Sequence, residues 1–155
     1  MKKPQLENLK MFPEKPELSI SIPSKTELLK MVVELASHIA TLNHFSPSES
    51  QKIALAVDEA ITNVIKHSYR NVIDEDIKLE FYTAPDGLKT RIVFTGVPPV
   101  LGKLGVNLDK MIKEGKKGGL GVELMRRIMD SVEYKTVGNI NSCEMVKWKK
   151  KKSAV

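Results

Sequence analysis

Apolar and polar positions alternate in short blocks along this chain, and proline, glycine and asparagine separate the blocks. At residues 17–22, Leu18, Ile20 and Ile22 alternate with polar neighbours, which predicts a strand with one buried face. Pro23-Ser24 interrupts it, and Leu28, Leu29, Val32, Leu35, Ala36, Ile39 and Leu42 then recur at helical spacing. Ser46-Pro47-Ser48-Glu49 has the form of a capping box with proline at the first helical position. It opens a second helix, whose apolar stripe is Ile53, Val57, Ala60, Ile61 and Val64. Residues 77–83 and 88–94 read as strands around Pro85-Asp86-Gly87, a hairpin signal. A Gly/Pro-rich loop follows at 96–105, then an expected short helix at 107–114, a mobile lid at 115–119 and a helix at 120–130. Residues 131–137 and 142–148 flank Gly138-Asn139-Ile140-Asn141 as a second hairpin. Two hairpins, one extra strand and amphipathic helices predict an α+β fold: a two-layer sandwich with helices on one face of a sheet.

The second helix also carries candidate chemistry. Glu59 and Asn63 stand one turn apart, on a side of the helix other than the apolar stripe. A carboxylate can take a proton from a hydroxyl, and an amide oxygen is a hard ligand suited to magnesium. Taken alone, the same pair also describes a solvated polar face. Further on, Lys116-Lys117-Gly118-Gly119-Leu120-Gly121 runs directly into the helix that begins Val122-Glu123-Leu124. Glycines ahead of a helix let backbone N–H groups turn toward an anion, and the helix N-terminus and the two lysines add positive charge. By themselves the glycines also fit a flexible linker.

Together, in this order, the two segments resemble the N box and second glycine box of the GHKL ATPase superfamily. The similarity is strongest to its small single-domain branch, the bacterial anti-sigma factors that are also serine/threonine protein kinases. It is carried by Leu55-Ala56-Val57-Asp58-Glu59-Ala60 with Asn63 and His67, and by Gly118-Gly119-Leu120-Gly121 through Arg126, Met129-Asp130 and Val132-Glu133-Tyr134. The resemblance implies a Bergerat-like sandwich with a mixed, mostly antiparallel sheet, and ATP held with Mg2+ between helices and lid. It implies that Glu59 is the general base on a seryl hydroxyl and Asn63 the Mg2+ ligand. Gly96, Gly115, Gly118, Gly119, Leu120 and Gly121 would contribute to nucleotide binding. The partners it implies are a sigma factor, an anti-sigma-antagonist protein as phosphorylation substrate, and a second copy of the chain in a homodimer.

One position departs from the pattern. The family's first glycine box, Asp-x-Gly-x-Pro, uses its Asp to accept a hydrogen bond from the adenine amino group. The matching stretch here is Phe94-Thr95-Gly96-Val97-Pro98, with phenylalanine in place of that Asp. A phenyl ring accepts no such bond, so the contact and its selectivity are expected to be lost. Thr95 offers a hydroxyl, but strand alternation points it to the other face unless a bulge at Gly96 turns it. The alternative function is therefore a degenerate GHKL module that binds partners without productive use of ATP.

Composition narrows the class further. A chain of 155 residues with 41% hydrophobic and 28% charged residues fits one packed domain. Residues 1–16, with Pro4, Pro13 and Pro16, are expected to form an extended arm, 17–148 the domain, and 149–155 a basic tail. Aromatics are sparse, so aliphatic side chains and seven methionines must fill the core. No apolar run approaches membrane-spanning length, and the polar, proline-containing start has no signal-peptide core. Cys143, the single cysteine, excludes an internal disulfide and fits a reducing cytoplasm. The net charge of +6 owes much to Lys147, Lys149, Lys150, Lys151 and Lys152 around Trp148. No groove-reading helix or aromatic platform accompanies them, so a solvated end is expected rather than a nucleic-acid site.

Overall fold

The computed structural model describes residues 12–99 and 120–150. Its elements are β1 (Leu18–Pro23), a 3-10 turn (Thr26–Leu28), α1 (Leu29–Leu42), α2 (Pro47–Asn63) and a π-helical turn (Val64–Ser68). There follow β2 (Asp76–Ala84), β3 (Gly87–Phe94), α3 (Leu120–Ile128), β4 (Ser131–Val137) and β5 (Ile140–Trp148). The strands form one five-stranded sheet in the order β1-β2-β3-β5-β4, and every pairing is antiparallel. The α+β sandwich expected from the sequence is the architecture of the molecule. The short helix and lid expected at 107–119, residues 1–11 of the arm and residues 151–155 of the tail lie outside the described residues.

Register explains why helices cover only one face. Leu79 stands opposite Ile92, which in turn stands opposite Cys143, and Phe81 opposite Thr90, which faces Met145. All of these side chains are essentially excluded from water. Val32, Ala36, Ile53, Val57, Ile61 and Met125 of the helices pack over them in one continuous core. Each of the valine, isoleucine and methionine side chains among them contributes about 1.5–3 kcal/mol on burial. On the other face, Arg91 lies 3.4 Å from the Glu80 carboxylate and 3.7 Å from that of Glu144. A helix docked there would have to desolvate those charges.

α2 starts where the capping box places it. The Ser46 hydroxyl accepts from the Glu49 amide at 3.1 Å, a cap worth about 1 kcal/mol. The helix ends differently from an ordinary one. After Asn63 it widens into the π turn, and Tyr69 N–H donates back to Val64 O at 2.9 Å. The chain then leaves through left-handed backbone at Arg70, Asn71 and Asp74.

Both hairpin turns are tighter than their sequence signals imply. Gly87 is already in β3, paired with Ala84, and Ile140 and Asn141 are already in β5, paired with Val137 and Thr136. Trp148 stacks over Gly87 so closely that a Cβ there would lie 2.5 Å from the indole. Among the described residues, no helix is long and apolar enough to cross a membrane.

Candidate functional site

Three of the residues singled out by sequence meet at the junction of α2 and α3. Glu59 and Asn63 lie on the half-buried side of α2, one turn apart, and α3 packs across that helix. The first turn of α3 brings Gly121 against both. A side-chain carbon at Gly121 would collide with Glu59 Oε2, and it would stand 3.4 Å from Glu59 Cδ and 3.6 Å from Asn63 Nδ2. Glycine at this position is thus what allows the carboxylate, the carboxamide and a helix N-terminus to share one space. Leu120 opens α3; Gly115, Gly118 and Gly119 lie outside the described residues.

The electrostatics of Glu59 follow from this position. Partial burial raises its carboxyl pKa above the ordinary value, the adjacent Asp58 carboxylate raises it further, and the Lys66 ammonium opposes both. Asp58 itself accepts a hydrogen bond from Thr62 Oγ1 at 3.3 Å. A carboxylate made more basic without being sealed from water suits a proton acceptor.

The stretch after β3 is built in another way. Phe94 is only 2% exposed and belongs to the core, flanked on its face of the sheet by Ile77 and Asn141. Asn141 is 1% exposed, and its carboxamide accepts from Thr136 Oγ1 at 2.8 Å and donates to Gly96 O at 3.3 Å. Gly96 has φ +94° and presses on the π turn, where a Cβ would lie 2.5 Å from Ser68 O. Val97 N–H donates to that same oxygen at 3.0 Å. Tyr69 Oη donates to Asp76 O at 2.6 Å and accepts from Thr95 N–H at 2.8 Å. Thr95 is exposed, and its hydroxyl lies 3.4 Å from Tyr69 Oη. β3 ends its pairing at Phe94 without a bulge at Gly96.

The profile of the histidine kinase-like ATPase domain matches residues 22–147, most of the chain. The chain belongs to the histidine kinase-like ATPase family. It is 28% identical over 124 residues to the serine-protein kinase RsbW of Listeria innocua, spanning 76% of this chain and 78% of that protein. To RsbW of Halalkalibacterium halodurans it is 31% identical over 125 residues, spanning 76% of this chain and 75% of the relative. Two solved structures share the fold at 12% sequence identity. The RsbU and RsbW domains of Rv1364c from Mycobacterium tuberculosis match with a TM-score of 0.58, over 87% of this chain and 32% of that one. The SiaB–SiaC complex from Pseudomonas aeruginosa matches at 0.59, over 92% of this chain and 94% of the other.

Tested against ATP and Mg2+, the ligands implied by this ATPase family, the two regions behave differently. The Glu59–Asn63–Gly121 cluster fits a magnesium polyphosphate: it offers a hard amide oxygen, a carboxylate and a helix N-terminus without a Cβ in the way. The end of β3 does not fit an adenine amino group, because its buried ring accepts no hydrogen bond and its buried amide is already paired.

Several contributing residues carry no motif. Lys66, Ser68, Tyr69 and Asn141 were not singled out by spacing, although an inward-facing asparagine in an otherwise apolar strand pattern is a signal for Asn141. His67 is exposed in the π turn, Arg126 is half-buried on α3, and Cys143 is buried on the inner sheet face. Burial pushes the Cys143 thiol up to about 12, and raises the Tyr134 hydroxyl that neighbours it.

Proposed function

We propose that this chain is an anti-sigma regulatory factor with ATP-dependent serine/threonine kinase activity toward an anti-sigma-antagonist protein, acting as a cytoplasmic homodimer. The observation that carries the proposal is the convergence of Glu59, Asn63 and Gly121. The relatives named serine-protein kinase RsbW support the reaction class. In this reading residues 17–148 are the catalytic domain, with the arm and the basic tail flanking it.

Glu59 takes the proton of a substrate seryl hydroxyl. The hydroxyl oxygen bonds the terminal phosphorus as the bond from that phosphorus to its bridging oxygen breaks, and the bridging oxygen leaves with ADP. Asn63 would hold Mg2+ through its amide oxygen, and the ion would supply charge neutralisation at the phosphates. Backbone N–H groups of Gly96, Gly115, Gly118, Gly119, Leu120 and Gly121 line the nucleotide. Such chemistry relies on positioning and on fixed charge, not on covalent participation by the protein.

The test separates the two side chains. Binding of nucleotide with and without Mg2+, and transfer of its terminal phosphate to an antagonist protein, are measured for the natural chain, Glu59→Ala and Asn63→Ala. Glu59→Ala should lose transfer and keep binding, because a base acts in the transition state. Asn63→Ala should lose the Mg2+-dependent part of binding. Undiminished transfer by Glu59→Ala removes it as the base, and equal loss of both activities in both variants removes the division of roles.

A second reading is favoured by Phe94 alone: a module that exchanges partners on this scaffold without productive use of ATP. Capture of a partner by a chain that binds no nucleotide under any Mg2+ condition would establish it.

A further inference from the structure

The two regions described above lie on one helical run. Ser68, against which Gly96 rests, is five residues beyond Asn63. Even at the α-helical rise of 1.5 Å per residue that is at most about 7.5 Å along the helix, and the π turn is shorter still, so it lies within the span of a nucleotide whose phosphates lie at Asn63. The base of such a nucleotide would therefore meet the end of β3 and the turn that follows it.

Telling one purine from the other at that place takes a fixed polar group. Adenine presents an amino donor where guanine presents a carbonyl acceptor, and only an aimed acceptor or donor distinguishes them. Among the described residues, no side chain on the sheet face that Phe94 occupies offers an accessible acceptor. Phe94 is apolar and packed into the core. The Asn141 carboxamide is held at both ends, by Thr136 and by Gly96 O. The Thr95 amide is spent on Tyr69 Oη and the Val97 amide on Ser68 O. The Thr95 hydroxyl faces Tyr69 from the exposed side.

We propose that this cleft holds a magnesium triphosphate and leaves the base unread, so that ATP and GTP bind with closely similar affinity, and that Phe94 is the residue responsible. The proposal rests on the reading of Glu59, Asn63 and Gly121 as a phosphate site. It extends that reading by widening the class of phosphoryl donor from adenine nucleotides to nucleoside triphosphates in general. Affinity then resides in the phosphates, and inorganic tripolyphosphate with Mg2+ should compete for the same site.

The experiment is competition binding on the natural full-length chain with ATP, GTP and inorganic tripolyphosphate, each with Mg2+. The expected result is an ATP-to-GTP affinity ratio below about tenfold, the factor one well-aimed hydrogen bond confers, with tripolyphosphate displacing both. A larger ratio overturns the proposal while leaving the phosphate site standing, and assigns base reading to another group. Tripolyphosphate that displaces neither nucleotide overturns it too, since the base or sugar would then carry the affinity. Binding of none of the three overturns the phosphate-site reading itself. Phe94→Asp, checked by thermal unfolding, gives the reverse arm: a folded variant should gain more than about tenfold preference for ATP. A folded, nucleotide-binding variant that still fails to discriminate removes Phe94 as the determinant, and the natural-chain competition decides alone should the variant not fold.

Discussion

The Glu59–Asn63–Gly121 cluster and the Phe94–Gly96–Asn141 cluster lie close together on one scaffold, yet they solve opposite problems. The first keeps a carboxylate and an amide half-solvated on one helix, and glycine on the helix packed across it allows a close approach to the carboxylate where any side chain would collide. The second leaves no room. Its ring is part of the core, its amide is paired at both ends, and its glycine is pressed onto the π turn in a left-handed backbone conformation. An aspartate in the environment of Phe94 would bury a charge among Ile77 and Asn141, at a cost of several kcal/mol unless it were paired. Stability and base recognition therefore compete at this one position. In this chain, packing has prevailed there, while the neighbouring cluster has kept its polar groups.

That contrast can be broken at either end. The largest effect is expected from Glu59→Gln, which preserves shape and removes the base. Phosphoryl transfer should fall by about 10²–10⁴-fold, with nucleotide binding retained, in a transfer assay paired with calorimetry. Phe94→Ala comes next: loss of a fully packed ring should destabilise the fold by about 3–5 kcal/mol in denaturant titration. A loss well under this would mean that the ring is not part of the core. Asn141→Ala should cost about 0.5–1.5 kcal/mol for each of its two hydrogen bonds, since Thr136 and Gly96 lose a partner but are exposed and can turn to water.

Gly121→Ala sharpens the comparison in a different way. The atom it meets is the far end of a flexible side chain, and alanine favours the helix, so stability should stay within about 1 kcal/mol of the natural chain. Transfer should fall much further than stability, since the Glu59 carboxylate must move aside. Parallel losses would show that Gly121 matters only to folding.

The smallest effect concerns pH. The Glu59 pKa is raised in the folded state by burial and by Asp58, so the folded chain holds its proton more readily than the unfolded chain does. Its contribution to stability is present below the ordinary carboxylate range and is lost as pH rises through the raised value. Stability of Glu59→Gln relative to the natural chain should therefore improve across that window and stay level above it, as read from denaturant midpoints at several pH values. A fall in the stability of Glu59→Gln relative to the natural chain as pH rises would contradict the assignment.

Much of this molecule follows from local pattern alone. Strand alternation, helical stripes and the Ser46 cap depend on neighbours a few residues apart, so all eight of the described strands and α-helices lie where periodicity predicts them, with both hairpin turns one step tighter. The Glu59–Asn63 pair was legible for the same reason, because spacing of one turn places both on a single helical face. Other features were decided only by the tertiary structure. No local rule places β5 between β3 and β4, sets Gly121 against Glu59, or brings the Asn141 amide to Gly96 O. These are meetings of residues far apart in sequence, made by the burial of shared apolar faces. The π turn after Asn63 belongs with them, since its wider backbone is held by what Ser68 and Tyr69 touch across the fold. Sequence alone therefore determined which side chains were available for chemistry. Packing determined which of them face one another, because a side chain's neighbours across a core are fixed by how the layers close over it and not by its position along the chain.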